Sequence, residues 1–219
     1  MQPVPKRALN RAAARPLVIA ILAYALFLVL GLYVSHRPPG DLDRSARELV
    51  GHGDLAAWIL TWTLYAYWLM PLCAVLIAIA IALPRWRARV AVTIATLVVT
   101  WGASDLFQRA FMRPRPLWWV VKHETASAYP SSHAALAVAF YGFWFLLLLR
   151  SELPRAVRAW GAAALGLLVA AVYWARLALG AHYPTDLGGG FLLGIVAVNV
   201  ALAICLVLQV ELFPGFLGD

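Results

Sequence analysis

Six long apolar stretches divide the chain, at about 17–35, 59–83, 90–107, 133–149, 159–175 and 187–209, and the segments between and beyond them hold all but one of the prolines and all but one of the charges. Each stretch is close to the roughly 20 residues a helix needs to cross about 30 Å of hydrocarbon. Strands of a membrane barrel would be shorter and would alternate apolar with polar positions. The pattern therefore predicts an all-α fold, a polytopic membrane bundle of six transmembrane helices. One domain is expected over residues 1–219, with 1–16 as a basic tail, because the segments between spans are too short for a separate soluble domain. Any chemistry must be built from helix ends and loops.

Composition excludes a soluble domain, since 63% of residues are hydrophobic, 13% are charged and the mean hydropathy is +0.80. Lys6, Arg7, Arg11 and Arg15 precede the first span, and counting spans puts the basic segments 84–89 and 150–158 on the same side. On the other side Arg37, Arg44 and Arg47 are offset by Asp41, Asp43, Glu48 and Asp54. Basic loops tend to stay in the cytoplasm, so a plasma (inner) membrane protein with both termini cytoplasmic is expected. The segments 113–133 and 176–186 then emerge together on the opposite face. A site formed by these two outward-facing loops would open to the periplasm or cell exterior, and Trp118 and Trp119 fit an interfacial belt there. The first span is read as an uncleaved helix, because Leu32-Tyr33-Val34-Ser35 is a poor cleavage site. Cys73 and Cys205 lie inside spans and are read as packing residues. The net charge of +8 is scattered over helix ends without a recognition motif, which argues against nucleic acid and for the anionic headgroups of a lipid bilayer as partners.

Two segments carry the chemistry: Pro130-Ser131-Ser132-His133, and Arg176 to Asp186 with His182 between them. Attack on a phosphate ester needs a nucleophile, a group to orient it, an acid for the leaving oxygen and cations for the phosphoryl oxygens. His182 is a competent nucleophile if a carboxylate accepts from its other nitrogen, and Asp186 follows four residues later. Pro184 makes a continuous helix between them improbable, which places His182 in a loop and Asp186 near the start of the last span. His133 is suited to protonate the leaving oxygen. Ser131 and Ser132 stand at a helix entry, where hydroxyls and free N–H groups hold anions. Arg115 and Arg176 would clamp the phosphate. Glycines 188–190 and 194 directly follow Asp186 and predict close packing of the last span, bringing the Asp186 and His133 segments together. Asp105, at the outer end of the third span, is a candidate partner for a motif arginine.

A lone histidine near a span end usually only satisfies a hydrogen bond, which is the reading preferred for His36, His52 and His123. Together, His133, His182, Asp186 and Arg176 are harder to explain that way, because ionisable groups near membrane depth are costly and usually functional. A zinc ion on the two histidines and Asp186 is the rival reading. It leaves the arginines unexplained and puts cations beside a metal.

These residues resemble the signature of the type-2 phosphatidic acid phosphatase superfamily of membrane lipid phosphatases. That signature is a lysine seven residues before Arg-Pro, then Pro-Ser-Gly-His, then Ser-Arg with five residues to His and three more to Asp. Arg115-Pro116 fits the first part, Pro130 to His133 the second with serine for glycine, and Arg176, His182 and Asp186 the third. The resemblance covers about residues 108–186. It implies a metal-independent phosphatase without a cofactor, with a phosphohistidine on His182, orientation by Asp186, His133 as acid, and Arg115, Ser131, Ser132 and Arg176 on the phosphate. Two positions depart: Gln108 stands at the lysine and Ala175 at the serine before Arg176. Gln108 loses a charge but keeps a donor for substrate, and Arg109, Arg113 or Lys122 could restore the cation. The function expected is hydrolysis of a lipid phosphate monoester or diphosphate, of the polyprenyl diphosphate (undecaprenyl diphosphate), phosphatidylglycerol phosphate or phosphatidic acid type. The alternatives are phosphotransfer from the same histidine to another lipid, and a non-catalytic protein that binds or transports phospholipids.

Overall fold

The computed structural model describes residues 6–50, 53–117 and 120–213, so that His52, Trp118, Trp119 and the first residues of the basic tail lie outside the described residues. Nine α-helices follow in order among those described: α1 (Lys6–Ser35), α2 (Asp41–Val50), α3 (Leu55–Trp62), α4 (Ala66–Ala82), α5 (Arg87–Phe111), α6 (Ser132–Ala137), α7 (Phe143–Leu149), α8 (Arg155–Ala178) and α9 (Pro184–Val207). A 3₁₀ turn at Pro84–Trp86 joins α4 to α5, and a π turn at Val138–Gly142 carries α6 into α7. Among the described residues five stretches are long and apolar enough to cross a membrane, and α3 with α4 makes a sixth if the bent pair is counted as one span. In lipid the backbone has no water to bond, and helices satisfy it internally.

The second span is not the continuous helix that its apolar run predicts. Its halves, Leu55–Trp62 and Tyr67–Ala82, meet at an angle of 46°. The amides of Thr63, Leu64 and Tyr65 each bond back three residues, to Leu60, Thr61 and Trp62, and the Thr63 hydroxyl takes the Leu60 carbonyl at 2.7 Å. Such bonds tighten the final turn and end α3, and Tyr65 is left at the bend. The chain between the first and second spans also holds an element that hydropathy does not announce. This is α2, a short charged helix with Asp41 and Arg44 paired in solvent at 3.0 Å and with Asp43 and Ala46 buried.

The span from Ser132 to Leu149 lies at the centre: 61% of it is buried, against 11–39% for the other unbroken spans. It is packed by α5, α8 and α9, while α1 runs along the outer side of α9. Glycine permits the approach of α9. A Cβ at Gly190 would fall 2.5 Å from the Ser131 carbonyl oxygen, and one at Gly194 2.6 Å from Val138 Cβ. The glycine run therefore does bring the start of α9 against the start of α6. On α5, Thr93, Thr96, Thr100 and Ser104 turn a row of hydroxyls inward, each bonded to the carbonyl four residues earlier at 2.6–2.8 Å.

Candidate active site

The site forms at one end of the bundle, where the 112–131 loop, the first turn of α6, the last turn of α8 and the first turn of α9 meet. The contributions differ from a pair of loops. Arg176 is in the last helical turn of α8, His133 in the first turn of α6 and Asp186 in the first turn of α9, and only Arg115, Ser131 and His182 come from non-helical chain. Pro184 opens α9, and Asp186 closes its first turn by accepting from the Tyr183 amide at 2.8 Å.

His182 is fully buried. Its Nδ1 lies 2.9 Å from the Ala128 carbonyl oxygen and 3.7 Å from Asp186 Oδ2, so the nearer partner that fixes the ring is a backbone carbonyl. With Nδ1 donating to that carbonyl, Nε2 keeps its lone pair and faces Arg115 Nη1 at 3.1 Å. Burial, and then the charges of Arg115 and Arg176, hold this imidazole well below its ordinary pKa, against the opposing pull of the Ala128 bond. Both effects favour the neutral ring, whose Nε2 lone pair accepts from Arg115 Nη1.

The Arg115 guanidinium is itself fixed by the carbonyls of Ala126 (2.6 Å), Ala181 (2.7 Å) and Ser127 (3.3 Å), and burial lowers its pKa to about 10. Arg176 is 1% exposed. Its Nη2 donates to Glu124 Oε1 at 2.9 Å, whereas Nε and Nη1 are buried with no hydrogen-bond partner. Buried donors without partners are costly, so these two N–H groups are poised for an anion. Both ring nitrogens of His133 are likewise buried and unpartnered, and the ring meets Tyr65 at 4.8 Å in an edge contact. Ser131 caps α6 by accepting from the Ala134 amide at 3.4 Å, while its own amide donates to the Asp186 carbonyl at 3.1 Å. Ser132 is half-buried beside it and lines a cavity of roughly 540 Å³, together with Gln108, Glu124 and His133. From there the cavity continues between α4 and α5 past Cys73, Val98 and Trp101.

Gln108 donates its side-chain amide to the Pro130 carbonyl at 2.8 Å, which ties α5 to the turn before α6. Of the three cations that could stand in for a lysine there, two are committed elsewhere. Arg109 pairs with Asp105 in solvent at 2.9 Å, so Asp105 does not serve a motif arginine. Arg113 is buried between Asp186 Oδ1 (2.5 Å) and Asp43 Oδ2 (2.7 Å), and donates also to Thr185 Oγ1 (2.7 Å). Lys122 stands beside the site, 3.1 Å from Glu124. Burial would raise the Glu124 carboxyl, but Arg176, Lys122 and Arg115 outweigh it and hold it below the usual carboxylate value.

Sequence reasoning missed Asp43, Arg113 as the partner of Asp186, Glu124 and the Ala128 carbonyl. Only the Arg113-Pro114 step beside Arg115-Pro116 signalled one of them, as repeated fixed charge. Among the described residues no three His, Cys, Asp or Glu side chains are close enough together to hold a metal ion, so the donor set of the zinc reading does not converge.

No curated protein matches the chain. A solved structure similar to it is described as the first transmembrane PAP2 type phosphatidylglycerolphosphate phosphatase from Bacillus subtilis. The two superpose with a TM-score of 0.70 at 19% identity, over 88% of this chain and 97% of that one, and so share the fold. The model of the PAP2 superfamily matches residues 85–208, which run from the turn before α5 to just past α9 and include every motif residue above. That match spans more than half of the 219 residues, and the chain belongs to the PAP2 superfamily.

Proposed function

We propose that the protein is a membrane lipid phosphatase, hydrolysing a phosphate monoester or diphosphate of a lipid through a phosphohistidine on His182. The observation that carries this reading is the buried imidazole, with Nδ1 on the Ala128 carbonyl and Nε2 on Arg115, an arrangement that favours the neutral ring. A group that only bound anions would gain nothing from a neutral ring fixed in one tautomer.

In the first step Nε2 attacks phosphorus and the bond from phosphorus to the lipid oxygen breaks. His133, which takes up a proton as the phosphate dianion enters, gives it to that oxygen, and the alcohol or lipid phosphate departs. Water then attacks the phosphohistidine, giving up a proton to His133, and inorganic phosphate leaves as the bond to Nε2 breaks. The unpartnered N–H groups of Arg176, the Nη1 of Arg115 and the hydroxyl of Ser132 stabilise the phosphoryl oxygens. Ser131 shapes the α6 entry, and Gln108 holds the same turn through Pro130. Asp186 acts at one remove, setting the 182–186 turn through Tyr183 and Arg113. The apolar course of the cavity between α4 and α5 supports a substrate with a lipid tail. The site lies at the end opposite the basic segments 84–89 and 150–158, which supports cytoplasmic termini and a site open to the exterior.

The test is phosphate release by purified protein in detergent with EDTA, from a polyprenyl diphosphate, phosphatidylglycerol phosphate and phosphatidic acid, beside His182→Ala. Release that survives chelation and is lost in His182→Ala is expected. Release unchanged in His182→Ala would overturn the mechanism, and binding without turnover would favour a carrier.

A further inference from the structure

The 112–131 loop delivers a cation that the motifs do not contain. The amides of Val121 and Lys122 both donate to the Leu179 carbonyl, at 3.0 and 3.2 Å, and so pin the loop to the residue that caps α8, three positions beyond Arg176. The Lys122 ammonium then lies 3.1 Å from Glu124 Oε1, the same oxygen that accepts from Arg176 at 2.9 Å and from the Tyr65 hydroxyl at 3.2 Å. It stands 4.0 Å from the centre of the Tyr65 ring, and that ring packs directly on His133.

One carboxylate oxygen thus sits between Lys122 and Arg176 at the distances a phosphoryl oxygen would take. Glu124 also lines the cavity that reaches His133 and Gln108, so a phosphate entering it comes to the carboxylate that both cations hold. The two differ in freedom. Arg176 is locked in a helix at 1% exposure, whereas Lys122 is a point charge on a flexible stem with three donors, 16% exposed at the rim. Gln108 brings no charge and is spent on Pro130.

We propose that Lys122 is a substrate-binding residue, which together with Arg176 holds a phosphoryl oxygen of the lipid phosphate, while Glu124 is the counter-ion that keeps both cations in place before substrate enters. This rests on the phosphatase reading above. Its consequence is a preference for headgroups with a terminal, doubly charged phosphate, since a phosphodiester offers one negative charge to a site that sets three cations against Glu124.

Lys122→Gln is expected to raise KM for the best lipid substrate about tenfold or more while kcat changes little, the signature of a lost charge-assisted contact. The inhibition constant of inorganic phosphate should rise in parallel, and Lys122→Arg should retain most of the affinity. Adding Gln108→Lys to Lys122→Gln places a cation in the cavity that Glu124 lines, and recovery of KM would assign the effect to charge. Lys122→Ala is the second variant should the glutamine disturb folding. Unchanged KM and unchanged phosphate inhibition in either folded variant would overturn the proposal while leaving the phosphatase reading intact. If no lipid is hydrolysed by the unaltered protein, the failure belongs to that reading. Thermal protection by inorganic phosphate then decides the proposal: its loss in Lys122→Gln supports it, and its persistence overturns it.

Discussion

Gly190→Ala probes whether the close approach of α9 to α6 aligns the reacting groups. The new Cβ would lie 2.5 Å from the Ser131 carbonyl oxygen and 2.7 Å from Ala134 Cβ, where ordinary contact begins at 3.4 Å. The helices must part by about 0.9 Å (3.4 − 2.5), because the obstacle is backbone and cannot rotate aside. That movement separates His182 and Asp186, next to the start of α9, from Ser131 and His133, at the start of α6. Overpacking of this kind costs about 1–3 kcal/mol of stability. A misplacement near 1 Å can lower a rate about 100-fold, equivalent to about 2.7 kcal/mol of barrier. Gly188→Ala is the control, since its nearest neighbour is Leu30 Cδ2 at 3.7 Å, an ordinary contact. Phosphate release and thermal unfolding in one detergent would be compared for both. A kcat/KM about 100-fold lower in Gly190→Ala is expected, with Gly188→Ala within about twofold of the unaltered protein. Equal activities in the two variants would refute the argument that this contact sets the alignment.

Removing Arg113 should be costly for a different reason. Arg113→Ala leaves Asp43 and Asp186 buried without their cation, and a loss of about 3–5 kcal/mol is expected as a lower unfolding midpoint. An unchanged midpoint would contradict the buried network. For His182, the folded-state pKa is depressed, first by burial and then by Arg115 and Arg176. The unfolded chain therefore binds a proton that the folded one does not. This group's contribution to stability is fully present above about pH 6.5 and is lost as pH falls from there toward the folded value. The acidic limb of kcat/KM assigned to the nucleophile should accordingly lie below about 6.5. A limb at or above that value would mean the ring is not held neutral.

Two buried ion-pair systems divide the work at this end of the bundle. Arg113, Asp43, Asp186 and Thr185 join α2 to α9, with both terminal nitrogens of Arg113 committed to carboxylates. In the second, around Glu124, Arg176 keeps two buried N–H groups without a partner and Lys122 a partly exposed ammonium. The first system ties helices together and the second is the binding surface proposed above, although both are built from the same residue types.

Much of this was legible in the chain alone. Lipid admits only backbone that satisfies itself, so six apolar runs already implied a helical bundle. Pro184 marked the start of α9, and Pro130-Ser131 the entry to α6, because proline and capping chemistry act locally. The spacing of Arg176, His182 and Asp186 was readable for the same reason. Pairings between distant residues were not. His182 and Asp186 are four positions apart, yet the Ala128 carbonyl, 54 positions away, is the nearer partner of the His182 Nδ1, while Asp186 takes Arg113, 73 positions away. Nothing in hydropathy distinguishes Glu124, which faces Arg176, from Asp105, which faces solvent with Arg109. The small helix that delivers Asp43 is held by hydrogen bonds from Thr185, a partner that exists only once the bundle has packed, whereas the bend that delivers Tyr65 rests on local bonds that an uninterrupted apolar run does not announce. Local sequence determined the spans, their ends and the reactive residue types. The tertiary structure decided which charge faces which, because electrostatic partnership follows distance in space and burial, neither of which is written in the order of the residues.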